Sequence, residues 1–526
     1  MDIPTIAPRH GPTRHVFAKH LSFGALLWLL SACAAPGAPR SIEGPARPAS
    51  VDDPPTGAVP YAGDSTWKTE AMGLYETGLA LADIDGDGHA DLLTASGNDT
   101  GLQPLAIYRN DGKGNFPARP SALSEDLDAN MNLAVGDIDQ DGFLDVAVST
   151  LGPPYGTGGV KIYFNRQGTL ERKPSFRSRD VFSSFACALG DADGDGDLDL
   201  AVSVMAEPGS PEGGAARVYF NNRGVIAETP GWKARKRMFG AAVLFTDVEQ
   251  DGFLDLVVGG SRVFVYRGEP VESGAVELSL EPWWVSREGP SVPYLAAGPL
   301  GRTGSWALVA SRNDLLCLFA GKPCPSPRYE AYQPALGRHE PLWSSSSSGL
   351  GSGVRLADVD GDGVTDLLGG SWGETRPDGG RLEIYRGEGA AFTREPIFRA
   401  TRSRASLIQS IDAADLRGDA TCSRLHRVVL PRRAAAISLP EALIGNVTGI
   451  RKNGAALDGR RDYTTIPAAP WLSFAKPLEA GDQLEIAYTR PSFVDIVVAN
   501  QDCGIGASRY DHHTTAPHCA IDEGAR

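Results

Sequence analysis

Apolar and polar positions along this chain fall into one unit repeated about every 55 residues. A Gly- and Ala-rich apolar run, such as FGAAVLFT (239–246), leads into a short acidic turn. A second apolar run leaves it: DLLTAS (91–96), DVAVST (145–150), DLAVSV (199–204), DLVVGG (255–260) and DLLGGS (366–371). An aromatic run with a Gly turn follows: IYRNDGKGNF (107–116), IYFNRQG (162–168), VYFNNRG (218–224), VFVYRGE (263–269) and IYRGEG (384–389). Runs this short, bounded by Gly and Asn, predict strands rather than helices.

The acidic turns start at 83, 137, 191, 247 and 358, with steps of 54, 54, 56 and 111 residues. The last step is two periods, and LAAGPLGRTGSWALVAS (295–311) fills it with the apolar flanks kept and the acids lost. A seventh copy, IDAADLRGDA (411–420), retains Asp415 and Asp419. Three or four strands per repeat, set radially, make a propeller blade. The expected fold is all-β: a seven-bladed β-propeller over 61–526, with acidic loops in five blades.

The turn pattern D-x-D-x-D-G-x-x-D sets carboxylates at positions 1, 3, 5 and 9, with Gly at 6 allowing the sharp bend. Hard oxygen ligands at this spacing suit Ca²⁺. The candidate ligands are Asp83, Asp85, Asp87 and Asp91; Asp137, Asp139, Asp141 and Asp145; Asp191, Asp193, Asp195 and Asp199; Asp247, Glu249, Asp251 and Asp255; and Asp358, Asp360, Asp362 and Asp366. An EF-hand needs Glu at position 12, where this chain has Thr94, Val148, Val202, Val258 and Gly369. These segments resemble FG-GAP (integrin α-type) and VCBS repeats across 80–430 and 490–505. The resemblance implies a calcium-stabilised propeller whose N-terminal strand, within 61–76 around Trp67, completes the last blade.

The period breaks between Leu430 and Pro491. Residues 433–490 alternate polar and apolar positions around the turns Asn453-Gly454 and Asp458-Gly459, which predicts a small β-rich insert in blade seven. Arg451, Lys452, Arg460, Arg461 and Tyr463 are its candidate recognition residues.

The N-terminus reads as an address. Arg9, Arg14 and Lys19 precede the ten-residue apolar run LSFGALLWLL (21–30), too short to span a bilayer. Leu30-Ser31-Ala32-Cys33 resembles a bacterial lipobox, so 1–32 reads as a lipoprotein signal peptide and Cys33 as the lipidated residue. Residues 34–60, with seven prolines, read as a tether. Of the remaining six cysteines, Cys317 and Cys324 are the expected disulfide pair.

A formal charge of −15 disfavours nucleic acid as a partner. Five Ca²⁺ ions would bring it to about −5. The expectation is a non-enzymatic binding or adhesion lipoprotein of the cell envelope, at the outer rather than the inner membrane. The membrane is met through the lipid alone, and the propeller recognises a protein or glycan. Alternatives are a calcium-dependent polysaccharide- or lipid-active enzyme, or an assembly factor of an envelope complex. Trp283, Trp284, Trp343 and Trp372 are candidate glycan-stacking residues. His512, His513 and His518 in the tail lack a metal-site spacing.

Overall fold

The structure is a computed structural model. It describes residues 59, 61–70, 74, 76–99, 101–314, 317, 324–372, 380–400, 407–419, 421–459, 461–467, 469–491, 493–500 and 507–510. All lie in one compact unit, Gly44–Arg526. The signal peptide, Cys33, the tether up to residue 58, Arg460 and the tail histidines lie outside the described residues. Among the described residues no helix is long and apolar enough to cross a membrane.

Seven four-stranded antiparallel sheets follow one another along the described residues. Blade one runs Glu76–Ala82, Asp91–Ser96, Leu105–Tyr108 and Ala122–Leu123, from inner to outer strand. Blades two to six repeat this order from Asn130, Ser183, Ala242, Leu295 and Gly351. Blade seven is assembled from both ends of the chain: Ile408–Ala414, Asp495–Asn500, Ala507–Tyr510 and, outermost, Trp67–Lys68, with Trp67 opposite Arg509. Each inner strand packs on the next, and the seventh on the first, so the ring closes.

Three repeated devices lock neighbouring blades. An amide just past each of several outer strands donates to the next blade: Glu125 to Arg172 O at 2.6 Å, Arg179 to Glu228 O at 2.9 Å, and Glu70 to Ala118 O at 2.8 Å across the closure. A tryptophan on the outer strand meets the third-strand tyrosine of the following blade edge-on: Trp67 on Tyr108, Trp232 on Tyr266, Trp284 on Tyr332 and Trp343 on Tyr385, with centroids 5.3–6.0 Å apart. Two residues before that tyrosine, blades two, three, five and six bury Lys161, Arg217, Glu330 and Glu383. Each is held by opposite charge; Lys161 lies 2.7 Å from Asp126, and Glu330 lies 2.7 Å from Arg312. Trp343, 8% exposed, also packs on Phe392. Truncating Trp343 to alanine empties this inter-blade contact, and thermal melting should show a loss of about 3–5 kcal/mol.

The insert leaves blade seven between its first two strands. It extends beyond 433–490 because Thr421–Val429 pairs along its whole length with Gln483–Pro491. That pair, Val447–Lys452 and Ala455–Ala456 form one sheet; Ala434–Ser438, Trp471–Leu478 and Tyr463–Thr464 form a second. Ile450, Leu472, Phe474, Leu484 and Ile486 fill the core between them. The insert turns back over the acidic loops and the ring's axis. Ile466, Pro467 and Trp471 line a central cavity of about 270 Å³ together with inner-strand residues such as Leu133, Leu189 and Leu356.

Candidate acidic-loop sites

Each acidic turn joins the first and second strands of its blade, so all of them open at one end of the ring. Position 1 organises the turn: Asp191 Oδ1 accepts the amides of Gly194 at 2.8 Å and Asp195 at 3.0 Å, and its Oδ2 accepts that of Gly196 at 3.0 Å. Positions 4 and 6 are left-handed in every acidic loop. Gly fills most of them, but Gln140 and Gln250 hold φ of 58° and 57° at position 4.

Position 9 is fully buried and uses both oxygens. Asp199 Oδ2 accepts the Ala192 amide at 2.8 Å, while its Oδ1 accepts the Asn221 amide at 2.7 Å. Asp145 does the same with Ile138 and Asn165, and Asp366 with Val359 and Gly387. The asparagine then reaches the preceding blade. Asn221 Nδ2 donates to Ile138 O at 2.9 Å, Asn165 Nδ2 to Ile84 O at 2.7 Å, and Asn110 Nδ2 to Leu416 O at 3.0 Å. Position 9 is therefore a clamp between strands and, through asparagine, between blades.

Four loops bring three carboxylates within 4.8 Å of one another: Asp83, Asp85 and Asp87; Asp137, Asp139 and Asp145; Asp191, Asp193 and Asp199; Asp358, Asp360 and Asp366. Asp141, Asp195 and Asp362, at position 5, instead accept amides two residues ahead. Loop four departs from the expected five-site set. Asp247, Glu249, Asp251 and Asp255 do not form such a group; the longer Glu249 side chain at position 3 pairs with Arg267.

Arginines separate the loops further. Arg109 lies 2.8 Å from Asp85 and 3.0 Å from Asp91. Arg166 lies 2.6 Å from Asp139, Arg386 pairs with Asp360, and Arg490 of the insert lies 2.9 Å from Asp358. Loop three has no ion pair to lysine or arginine among the described residues. Its counter-group is a neutral one: the Ser473 hydroxyl of the insert donates to Asp191 Oδ2. Burial pushes Asp191 up to about 7 and Asp193 up to about 6, and carries Asp199 well above the carboxylate range. Burial likewise pushes Asp137 to about 6, Asp145 to about 7 and Asp366 to about 8.

The residues fit a hard cation. Asp137 Oδ1 and Asp193 Oδ1 are buried without a hydrogen-bond partner, and carboxylates pushed out of ionisation by burial are what a bound cation would ionise. A cation there would supply charge neutralisation, held by positions 1, 3 and either 5 or 9.

The register exposes a residue that sequence reading overlooked. In blade six Ala357 is paired with Asp366; in blade seven Ala414 is paired with Asp495. FVDIVV (493–498) therefore continues the motif begun at Asp415, as FLDVAV (143–148) does in blade two. The insert is spliced into an acidic loop. Near the splice, a crevice of about 580 Å³ opens between insert and ring, with Asp83, Asp415, Asn446 and Thr489 on its walls.

Other candidates fall as follows. Cys317 and Cys324 are disulfide-bonded, Cys187 is free and buried, and Cys422 is also disulfide-bonded. The proposed aromatic platform does not form: Trp284, Trp343 and Trp372 are 3%, 8% and 6% exposed. They pack in and between blades, and Trp283 alone of the four is open, under the Arg267 guanidinium at 4.3 Å. In the insert, Lys452 pairs with Asp482 and Arg461 with Asp462, while Arg451 donates to Gly454 O at 3.1 Å.

Residues 78–148 match the family model of the FG-GAP-like repeat. Integrin alpha-3 of Mus musculus and of Cricetulus griseus are each 33% identical to this chain over 20% of its length. The match spans 11% of each integrin. Among solved structures, that of BBS1N in complex with ARL6DN aligns with 86% of this chain and 98% of its own, at a TM-score of 0.46 and 10% identity. Residues 78–148 thus carry an FG-GAP-like repeat, within a chain whose described residues form an all-β frame.

Proposed function

We propose that this chain is a calcium-stabilised binding protein of adhesion type, not an enzyme, held at the bacterial cell envelope by a lipid on Cys33. The observation that carries the reading is an apolar set on the ring end opposite the acidic loops. Leu102, Leu127, Val181 and Phe239 are 53%, 55%, 48% and 38% exposed. All four sit on connections between second and third strands or between blades, over the consecutive blades one to four. Exposed apolar groups on loops at one end of a rigid scaffold are a common feature of protein-binding surfaces. The insert occupies the other end, so recognition of a protein partner belongs to this one. The integrin-like repeats support the same class.

The test uses the mature protein as bait on envelope fractions, beside Leu127→Asp/Val181→Asp and a variant with 433–490 replaced by a short Gly-Ser turn. The expected result is a partner retained by the insert-deleted protein and lost with the aspartates. Loss only on insert deletion would move recognition to the insert. Cys33→Ser should shift the protein from the membrane to the soluble fraction; unchanged membrane partition would overturn the anchor.

A further inference from the structure

We propose that Ser473 is a positioning residue of the loop-three cation site, so that cation binding there and seating of the insert strand Trp471–Leu478 are one coupled equilibrium. The inference rests on the calcium reading of the loops and adds to it a residue from outside the repeat. Ser473 is 1% exposed, at the point where its strand is paired on both sides, to Ala436 and Thr464. Its single proton goes to Asp191 Oδ2, and Ala435 O lies 3.3 Å away. With the Gly196 amide on the same oxygen at 3.0 Å, the hydroxyl fixes which way the Asp191 carboxylate faces. Asp193 Oδ1, bare and buried, stays directed at the cluster.

Backbone shape confirms how close the seat is. A Cβ on Gly196 would stand 2.4 Å from Ala475 Cα, and one on Gly252 would stand 2.4 Å from Ala434 Cβ. The first glycine faces the strand that carries Ser473, and the second faces its neighbour. Loops one, two, four and six hold their acids with arginine; loop three alone relies on the insert's hydroxyl. A ligand-orienting hydrogen bond of this kind typically changes metal affinity by about 10–100-fold. By linkage the ion must favour the seated strand by the same factor. The seated strand also places Trp471 at the wall of the central cavity, so unseating would open the ring's axis.

The experiment is calcium titration calorimetry with hydrogen exchange of the 471–478 peptide, on the full mature protein. Calcium should slow exchange of this peptide about tenfold in the wild type. Ser473→Ala should weaken one calcium site by about tenfold and abolish that slowing. Arg427→Ala, on the insert's outer strand and paired with Glu485, should change neither, which separates the effect from general loosening of the insert. If calcium binds but exchange and affinity are the same in Ser473→Ala, this inference is overturned while the calcium reading stands. If the wild type binds no calcium, both are overturned.

Discussion

Calcium added to EDTA-stripped protein should raise the melting temperature at pH 8 and do so much less at pH 5. The cause lies in the loop carboxyls. Asp191 and Asp145 are pushed to about 7, Asp137 and Asp193 to about 6, and Asp366 to about 8, in every case chiefly by burial. An unfolded chain ionises the same groups near pH 4. The folded pKa is the higher one, so the folded state binds the extra protons. Metal-free stability is therefore greatest below about pH 4 as far as these groups are concerned, and it is lost progressively as pH rises through 6 to 8. Calcium takes the ionised form, so its advantage grows over the same range. At ten times the dissociation constant each site contributes about 1.4 kcal/mol. Four clustered loops then amount to about 6 kcal/mol, and a rise on the order of 5–10 °C. Superimposed melting curves with and without calcium at pH 8 would remove calcium from the account of this fold.

Not all loops should share that gain equally. Arg109, Arg166 and Arg386 already neutralise acids in loops one, two and six, and a cation must displace them. Loop three has no such competitor. Asp193→Ala should therefore remove more of the calcium-dependent stabilisation than Asp85→Ala, as read by the difference in melting temperature with and without calcium.

How much of this was legible follows from what kind of signal each feature leaves. The blades were legible because strand runs and acidic turns recur at one period, and the N-terminal strand at Trp67 took the place expected of it. Loop four differs from the other acidic loops at position 3, because the motif counts oxygens but not reach: Glu249 places its carboxylate one methylene farther out than an aspartate there. The arginines themselves left a readable trace. Tyr-Arg stands at 108–109, 266–267 and 385–386, and Tyr-Phe-Asn-Arg at 163–166, whereas blade three reads Tyr-Phe-Asn-Asn at 219–222. That difference sets loop three apart, yet it means nothing until the third strand is seen to end beside the loop. Asp495 was hidden by distance, since about 75 residues of insert separate it from Asp419. The insert's return over the ring has no sequence signature at all. It is fixed by close approaches such as Ala475 against Gly196, which only three-dimensional packing defines. The tryptophans were misassigned for the converse reason: an aromatic between repeats looks exposed in sequence, but the next blade's tyrosine covers it.

The largest single-residue effect is expected at position 9, where the acid holds the fold whether or not an ion is present. In Asp199→Ala, the amides of Ala192 and Asn221 lose acceptors at 2.8 and 2.7 Å in a fully buried place. Each unsatisfied buried amide costs about 1–3 kcal/mol, and the vacated volume adds to it. Asn221 is also the donor to Ile138 O in the blade-two loop, so its displacement carries the damage into the neighbouring blade. The loss should reach about 4–6 kcal/mol by denaturant unfolding, enough to leave much of the protein unfolded. Its distinguishing mark is that it persists in EDTA. Asp193→Ala, by contrast, should lose stability chiefly when calcium is present, because Asp193 Oδ1 has no partner of its own to forfeit. If Asp199→Ala matched the wild type in EDTA and differed only in calcium, position 9 would be a ligand alone, and the clamp between blades would have to be sought elsewhere.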